Sequence, residues 1–385
     1  MFTVLLFLAV LSVLVIAHEC GHYVAARLCG VKAEEFGFGF PPRLIGFVRE
    51  KGKWKRVPSR SDKVYASTIW SINWLPLGGF VRMKGEEGHP GETDAFASKG
   101  ILARLFILSA GVIMNWVVAS LIFGVGFLIG VPSDIQGVPP SARVENVRTE
   151  IVQVVSGSAA ADAGLKMGDR LLEVSGQPVA TAQDALKRFQ EVSTQNQSFP
   201  LRITREGQEQ IVQITPKYLE ALKRPAVGVS VSSIGTVSFP WYQAFPQGAV
   251  LTYQYTKLIL GAFGDLVESL FVGDVPADVS GPVGIAVMTG KVAALGLWPL
   301  LQFAAMLSIN LAVVNFLPIP ALDGGRVLFI LIETIRRKRI RPEWEASIHR
   351  VGFVLLLTLV VLVTFHDVVR YGGGIWHGLK NVVGL

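Results

Sequence analysis

Residues 2–23 read FTVLLFLAVLSVLVIAHECGHY, an apolar run that ends in a His-Glu-x-x-His motif. On a helix, His18 and His22 lie one turn apart on the same face, so both imidazoles can bind one metal ion. Glu19 lies beside them, where its carboxylate can take a proton from a metal-bound water. The spacing is typical of zinc-dependent peptide hydrolases. The apolar run before the motif, however, has the composition of a membrane span.

The composition of the whole chain predicts a polytopic α-helical membrane protein. Of its 385 residues, 51% are hydrophobic and only 17% are charged, which is too apolar for an ordinary soluble protein. A net charge of +7 could indicate nucleic acid, but the basic residues cluster beside apolar runs and no nucleic-acid motif is present. We therefore expect no nucleic-acid partner and assign these charges to the lipid bilayer.

Hydropathy and charge divide the chain into successive segments. They are a first span (1–26), a basic membrane-associated β or re-entrant region (27–100), a second span (101–131), an inserted α+β domain (139–216), a linker with an interfacial amphipathic helix (217–296), a third span (297–335), a basic loop (336–350) and a fourth span (351–370). Basic loops stay on the cytoplasmic side of membranes. About four spans put both basic segments there and the inserted domain on the opposite side.

The helical pattern over 241–272 carries Lys257, Asp265 and Glu268. These charges favour an interfacial helix over a further span. A full crossing here would also reverse the side predicted for the basic loop at 336–350. We therefore predict that this helix lies along the membrane surface.

Two stretches of the region 27–100 are too apolar for a free loop. Phe36-Gly-Phe-Gly-Phe40 alternates glycine with aromatic residues, as expected where a backbone approaches another group closely. Residues 65–74 have a strand pattern, and Leu75-Pro-Leu-Gly-Gly79 predicts a turn after it. Irregular backbone at membrane depth is tolerated only against protein or a water-filled cavity. Both stretches are therefore expected beside the metal site.

The inserted domain has a different pattern from the spans. Short alternating strands are predicted at 151–155, 171–174, 201–204 and 210–214, with one helix over 181–191. The sequence from Ser156 to Val179, SGSAAADAGLKMGDRLLEVSGQPV, resembles the core of a PDZ domain. Such a domain binds a chain terminus or an extended segment by strand addition.

A catalytic zinc ion usually has three protein ligands and one water, so a third ligand is needed. Asp323 lies in the stretch NFLPIPALDGG (315–325) at the basic end of the third span. Pro318 and Pro320 interrupt the helix there, which allows a carboxylate to turn inward. The other candidates are the acidic residues and the histidines His89, His349, His366 and His377.

Two asparagines lie within the apolar spans. Asn115 is the strongly polar residue of the second span, and we expect it to hydrogen-bond between helices. Asn315 in the third span has the same interpretation on the sequence alone.

The His-Glu-x-x-His motif in a first span, the Asn-x-x-Pro-x-Pro-x-Leu-Asp-Gly motif in a later one and the PDZ-like insert together resemble the site-2 protease family, in particular its bacterial regulator of sigma-E protease branch. The resemblance implies one zinc ion per chain held by His18, His22 and Asp323, with Glu19 as general base. It also implies that substrate pairs with the strand near 65–72. The substrate-binding residues expected on this basis are Asn315, Phe38, Gly39, Tyr65, Ser67, Ile69 and Pro318. Well-known members carry two tandem PDZ domains, whereas only one is recognised here.

The function expected from these features is cleavage of single-span membrane proteins by an intramembrane zinc metalloprotease, after a first cut by another protease. The expected location is the bacterial inner membrane, with the active site near the cytoplasmic face and the PDZ domain outside. Two alternatives are clearance of leftover signal peptides by the same chemistry, and a PDZ-based membrane adaptor with a non-catalytic metal site.

Overall fold

The computed structural model describes residues 2–61, 63–86, 92–195, 197–205, 207–219, 223–272, 281–338 and 340–383. The chain falls into two compact units: unit 1 comprises Met1–Phe123 and Gln247–Leu385, and unit 2 comprises Gly124–Pro246. The helices, in chain order, are α1 (Phe2–Leu28), α2 (Ile101–Ile129), α3 (Ala159–Asp162), α4 (Ala182–Gln195), α5 (Trp241–Val272), α6 (Pro282–Ala294), α7 (Leu297–Phe316), α8 (Asp323–Arg336) and α9 (Pro342–Val383).

Strands form the second class of elements. In chain order they are β1 (Ala33–Glu50), β2 (Lys53–Val57), β3 (Ile69–Met83), β4 (Val131–Asp134), β5 (Arg143–Val154), β6 (Arg170–Val174), β7 (Gln177–Pro178), β8 (Phe199–Arg205), β9 (Gln208–Ile214), β10 (Lys217–Leu219), β11 (Arg224–Ala226) and β12 (Val229–Ser238). The first three belong to unit 1 and the others to unit 2.

Among the described residues, four helices are long and apolar enough to span a membrane. They are α1, α2, α7 and the Glu343–Arg370 part of α9. The prediction of a polytopic helical membrane protein with about four spans and a β element is confirmed. α5 is not among the four, and that it lies along the membrane surface stays a prediction.

The third and fourth spans differ from their predicted limits. α7 ends at Phe316, and α8 is a separate helix after the proline-containing segment, since Pro318 and Pro320 have no N–H to continue the α7 ladder. The basic loop predicted at 336–350 is helical from Pro342 onward. Proline suits the first turn of a helix, and Glu343 and Glu345 in that turn interact favourably with its positive end.

The sheet of unit 1 contains three strands that form five segments, because β1 and β3 each bend and pair twice. Across the sheet, the order of segments is 79–83, 33–38, 69–72, 45–48 and 53–57. Segment 69–72 is therefore flanked on both sides, whereas 79–83 has one described neighbour. The strand assignment of β3 continues through 75–79, but segments 69–72 and 79–83 run in opposite directions, so the chain reverses there, with Gly78 at φ +68°, as the predicted turn requires.

Unit 2 contains a sheet in the order β4-β12-β5-β6-β8-β9, with β7 paired to β6. Its core includes Ile151, Leu171, Leu201 and Ile203 from the strands, and Phe189 from α4. The predicted strands and the predicted helix are present, but the sheet extends beyond 139–216 at both ends. β12, which fell in the predicted linker, pairs with β5 over nearly its whole length.

Candidate metal centre

Two histidines from α1 and one aspartate from α8 meet inside unit 1. His18 Nε2 and His22 Nε2 lie 3.0 and 3.2 Å from Asp323 Oδ2, and 3.1 Å from each other. Both histidines are buried, at 4% and 5% exposure. Among the described residues these three form the one cluster of His, Cys, Asp or Glu donors able to hold a metal ion.

The helix period explains the histidine pair, since side chains four residues apart share one face. Asp323 arrives by a different route. It is the first residue of α8, which follows the interrupted segment 317–322. Chain separations of 305 and 301 residues are thus closed by packing α8 against α1.

The second nitrogen of each imidazole is also engaged. His22 Nδ1–H donates to the Ile107 carbonyl oxygen at 2.8 Å, which leaves the Nε2 lone pair directed at the cluster. His18 Nδ1 lies 3.2 Å from the side-chain amide of Asn115. Asn115 is fully buried, and its Oδ1 has no hydrogen-bond partner among the described residues.

Turning the Asn115 amide by 180° exchanges the positions of its oxygen and nitrogen and brings Oδ1 to His18 Nδ1. His18 Nδ1–H then donates to Asn115 Oδ1, and the His18 Nε2 lone pair also faces the cluster. Asn115, which was predicted to hydrogen-bond between helices, does so with a candidate metal ligand. An asparagine in a membrane span predicts an interhelical hydrogen bond, but the sequence did not predict that His18 is its partner.

Zinc fits this arrangement of donors. Two Nε2 lone pairs and a carboxylate oxygen converge with no donor hydrogen between them, so a cation is needed to offset their repulsion. Tetrahedral zinc with bonds of about 2.0–2.2 Å separates neighbouring ligand atoms by roughly 3.3 Å. The three observed separations, 3.0–3.2 Å, are close to that value.

Gly111 on α2 is a site residue that sequence reasoning missed. A Cβ at this position would collide with the imidazoles of both His18 and His22. Gly21 on α1 likewise faces the Ala110 carbonyl, so α1 and α2 approach closely at the cluster. The sequence feature that could have indicated this close approach is the Gly111-x-x-x-Asn115 spacing, which puts both residues on one face of α2.

Glu19 is held by the sheet of unit 1. Its carboxylate accepts a hydrogen bond from the Val81 backbone N–H at 3.0 Å. Val81 belongs to segment 79–83, whose second edge has no strand partner among the described pairings. Gly79 packs against Ile16 and Glu19 of α1, which brings this backbone close to the motif.

The expected substrate residues divide into two groups. Asn315 is at the cluster, with Nδ2 3.4 Å from His18 Nε2. Pro318 lies in the segment that leads to Asp323. The other group lies in or beside the sheet, where no described contact joins it to the cluster; its members are Phe38, Gly39, Tyr65, Ser67 and Ile69.

Within that second group, Phe38 is half-buried in β1, and the Gly39 carbonyl accepts a hydrogen bond from buried Asn73. Ile69 is buried with Tyr65 packed against it, and Ser67 is exposed before β3 begins. Residues 70–72 pair on one side with 36–38 and on the other with 45–47. The prediction that a substrate strand pairs there is wrong for these residues, because both edges are occupied.

The remaining histidines are not in the cluster as described. His349 accepts a hydrogen bond from the Ala321 N–H, and His366 is exposed on α9. His89 and the side chain of His377 lie outside the described part of the chain.

Two ion pairs hold α8 in place. Arg326 pairs with Glu86, and Arg104 pairs with Glu333 at 3.1 Å, with both side chains of the second pair 12% exposed.

Comparison with known proteins finds relatives over nearly the whole chain. The sequence model of peptidase family M50 matches residues 6–58 and 60–359. The chain is 32% identical over 360 residues to a putative zinc metalloprotease of Clostridium perfringens, covering 93% of this chain and 96% of that one. It is 28% identical over 452 residues to the zinc metalloprotease RasP of Geobacillus kaustophilus, with coverage of 96% and 98%. It is 29% identical over 449 residues to the regulator of sigma-W protease RasP of Bacillus subtilis, also covering 96% and 98%.

Proposed function

The chain belongs to peptidase family M50, the site-2 protease family, as a zinc metalloprotease with multiple membrane spans, and we propose that it cuts single-span membrane proteins within or next to their transmembrane segment. The observation that carries this proposal is the cluster of His18, His22 and Asp323, contributed by an apolar spanning helix and by the helix that follows another span. Burying ionisable side chains in membrane-spanning helices costs free energy. Their presence there therefore indicates a function.

We assign His18, His22 and Asp323 as the zinc ligands and Glu19 as the general base. Zinc held by these three residues would supply a Lewis acid for the scissile carbonyl and would lower the pKa of a bound water to about 7. The Glu19 carboxylate would then act as general base for that water and pass the proton to the leaving amine. The Val81 N–H orients this carboxylate, and the Asn315 amide is positioned to hydrogen-bond the substrate beside His18.

A transmembrane helix hides its carbonyls in hydrogen bonds, so a substrate must unwind before it is cut. The outer edge of segment 79–83 is the strand edge that contacts Glu19. We assign substrate strand addition to this edge in place of residues 70–72. The basic region 27–100 supports a site near the cytoplasmic face of a bacterial inner membrane, as the distribution of Lys and Arg predicts.

Unit 2 is proposed to act as a PDZ domain that binds a chain terminus. A groove of about 430 Å³ lies between α4 and residues 227–230. Over residues 229–231, strand β12 has β5 on one side and no described strand on the other. An extended peptide can therefore add along this edge, with Leu186 and Phe189 of α4 contacting its last side chain and Arg224 near its carboxylate.

That groove relates the proposal to regulated proteolysis. A first cut by another protease outside the membrane creates a new C-terminus, which is the ligand class such grooves bind. The relative named regulator of sigma-W protease supports a role in signalling for this chain as well. Clearance of leftover signal peptides would use the same chemistry. A pure adaptor is disfavoured by the intact Glu19 and its hydrogen bond to Val81.

The test compares wild type with Glu19→Gln on a tagged single-span substrate in membranes. The variant is expected to lose cleavage by roughly 10²–10⁴-fold, the usual contribution of a general base, while zinc content stays unchanged. Glu268→Gln, at an exposed position of α5, is the matched control and should cleave normally. Equal cleavage by wild type and Glu19→Gln would refute the mechanism. Peptide binding by unit 2 without cleavage by wild type would favour the adaptor.

A further inference from the structure

The segment 317–322 carries Asp323 to the cluster, and its backbone is unusual. Ala321 has φ +80°, in the left-handed region that residues with a Cβ seldom adopt. Pro318 and Pro320 remove two backbone donors from the same segment. Its internal hydrogen bonds run from Ile319 N–H to the Leu317 carbonyl at 2.7 Å and from Leu322 N–H to the Ile319 carbonyl at 3.2 Å.

The Ala321 N–H is satisfied from outside the segment. It donates to His349 Nδ1 on α9 at 2.8 Å, across 28 residues of chain. Because Nδ1 accepts this bond, His349 is in the neutral tautomer with its proton on Nε2. Its ring packs against Phe329 of α8 with centroids 5.4 Å apart, which fixes the direction of the acceptor.

α9 approaches the same segment one turn further along. A Cβ at Gly352 would collide with the side chain and carbonyl of Pro320. His349 and Gly352 are three residues apart and so lie on one face of the helix. α9 thus contacts residues 320 and 321 through a hydrogen bond and a close packing contact, two residues before Asp323.

We propose that His349 is a positioning residue for Asp323. Its Nδ1 holds Ala321 in the left-handed conformation, and that conformation directs the Asp323 carboxylate at His18 and His22. The proposal rests on the ligand set assigned above. It gives the last span a role in the zinc site although that span supplies no ligand.

A packing role alone makes a different prediction. An imidazole used only to fill space between α8 and α9 can be replaced by an apolar side chain of similar size. An imidazole used as an acceptor can be replaced by asparagine, whose Oδ1 falls near the Nδ1 position, but not by leucine. The two substitutions therefore separate hydrogen bonding from packing.

The experiment measures zinc affinity by chelator competition on the purified full chain in detergent, with substrate cleavage and thermal unfolding in parallel. His349→Leu is expected to weaken zinc binding by roughly 10–100-fold, as for other groups that orient a metal ligand. His349→Asn is expected to recover most of that loss. His366→Leu, an exposed histidine on the same helix, should match wild type throughout.

Asp323→Ala in the same titration separates this proposal from the ligand assignment. If Asp323→Ala binds zinc as tightly as wild type, the ligand set is wrong and the positioning role fails with it. If Asp323→Ala loses zinc but His349→Leu does not, only the positioning role is overturned. Equal zinc loss by His349→Leu and His349→Asn would likewise overturn it, since the acceptor would then be irrelevant.

Discussion

The two halves of the proposed zinc site are built in different ways. His18 and His22 come from the regular helix α1, where spacing alone brings both rings to one face. Asp323 comes from the end of an irregular segment with two prolines and a left-handed alanine. The helix half of the site, His18 and His22, depends on space beside α2. The loop half, Asp323 with the segment 317–322 before it, depends on contacts with α9. The difference teaches that folding of the first half tolerates displaced side chains, although zinc binding does not, whereas the second half requires a particular backbone.

The largest expected effect on zinc binding comes from Gly111→Ala, because the new methyl group displaces both histidines together. Misplacement of about 1 Å can cost on the order of 10² in rate, so we expect at least that loss of cleavage, with zinc lost as well. The clash involves the ends of side chains, so folding should be little affected. Zinc content, cleavage and the thermal unfolding midpoint are the measurements.

Gly264→Ala is the control for this prediction, because a Cβ there meets nothing within 4 Å. It should leave all three measurements unchanged. Wild-type zinc affinity in Gly111→Ala would contradict the close approach of α2 to the histidines.

The loop half is tested by Gly324→Ala. A Cβ at this position would collide with the backbone carbonyls of Phe316 and Leu317, which cannot rotate away as an imidazole can. We expect zinc affinity to fall less than in Gly111→Ala, since one ligand is displaced instead of two. Overpacking should also lower the free energy of unfolding by about 1–3 kcal/mol. The measurement is the difference between the unfolding midpoints of Gly324→Ala and Gly111→Ala. Equal midpoints would contradict the proposed difference between the two halves.

A smaller effect is expected at Asn115, which supports the helix half without being a ligand. Asn115→Leu removes the hydrogen bond to His18 Nδ1. Zinc affinity should fall by roughly 10–100-fold, the range for partners of ligating histidines, and chelator competition measures it. Ser308→Ala is the control: it removes a 2.9 Å hydrogen bond to the Asn115 backbone carbonyl and leaves the His18 contact in place. A larger loss in Ser308→Ala than in Asn115→Leu would argue that helix packing matters more than the imidazole contact.

The same contrast explains how much the sequence could predict. Apolar runs were sufficient to predict the spans, and the helix period was sufficient to bring His18 and His22 together as half of the site. Asp323 was predicted from its motif and from the family resemblance of that motif. The residues that position the ligands were not predicted. Ile107 acts through a backbone carbonyl, Gly111 through having no side chain, and His349 through a tertiary contact. None of these roles leaves a periodic pattern.

The sheet was harder to predict for a related reason. A strand pattern at residues 65–74 predicts extended backbone but not which edge stays free. That depends on the bends by which residues 36–38 lie between the two arms of β3. Unit 2 shows the same limit, because β12 joins the sheet next to β5 from well beyond the PDZ-like stretch.

The smallest effect on the zinc site is expected in that sheet, which contacts Glu19 of α1 through Val81 but contributes no member of the ligand cluster. Burial alone would raise the pKa of Glu35, but hydrogen bonds and charge from Arg43, and the charge of Arg82, hold it below its usual range. Ionised Glu35 therefore stabilises the fold above its unfolded pKa of about 4.3. This contribution is lost as the pH falls through the lower pKa of the folded state.

Glu35→Gln removes that contribution and should lower the free energy of unfolding by about 1–3 kcal/mol near pH 7, with zinc affinity unchanged. The difference from wild type should shrink as the pH falls below about 4, because wild-type Glu35 then also becomes protonated. Unfolding midpoints from pH 3 to pH 7 measure this. Glu34→Gln is the control, since the Glu34 side chain is 33% exposed and its contact with Arg82 is long, at 3.4 Å. Loss of zinc in Glu35→Gln would show that the sheet and the ligand cluster are coupled, and that the two halves do not account for the site by themselves.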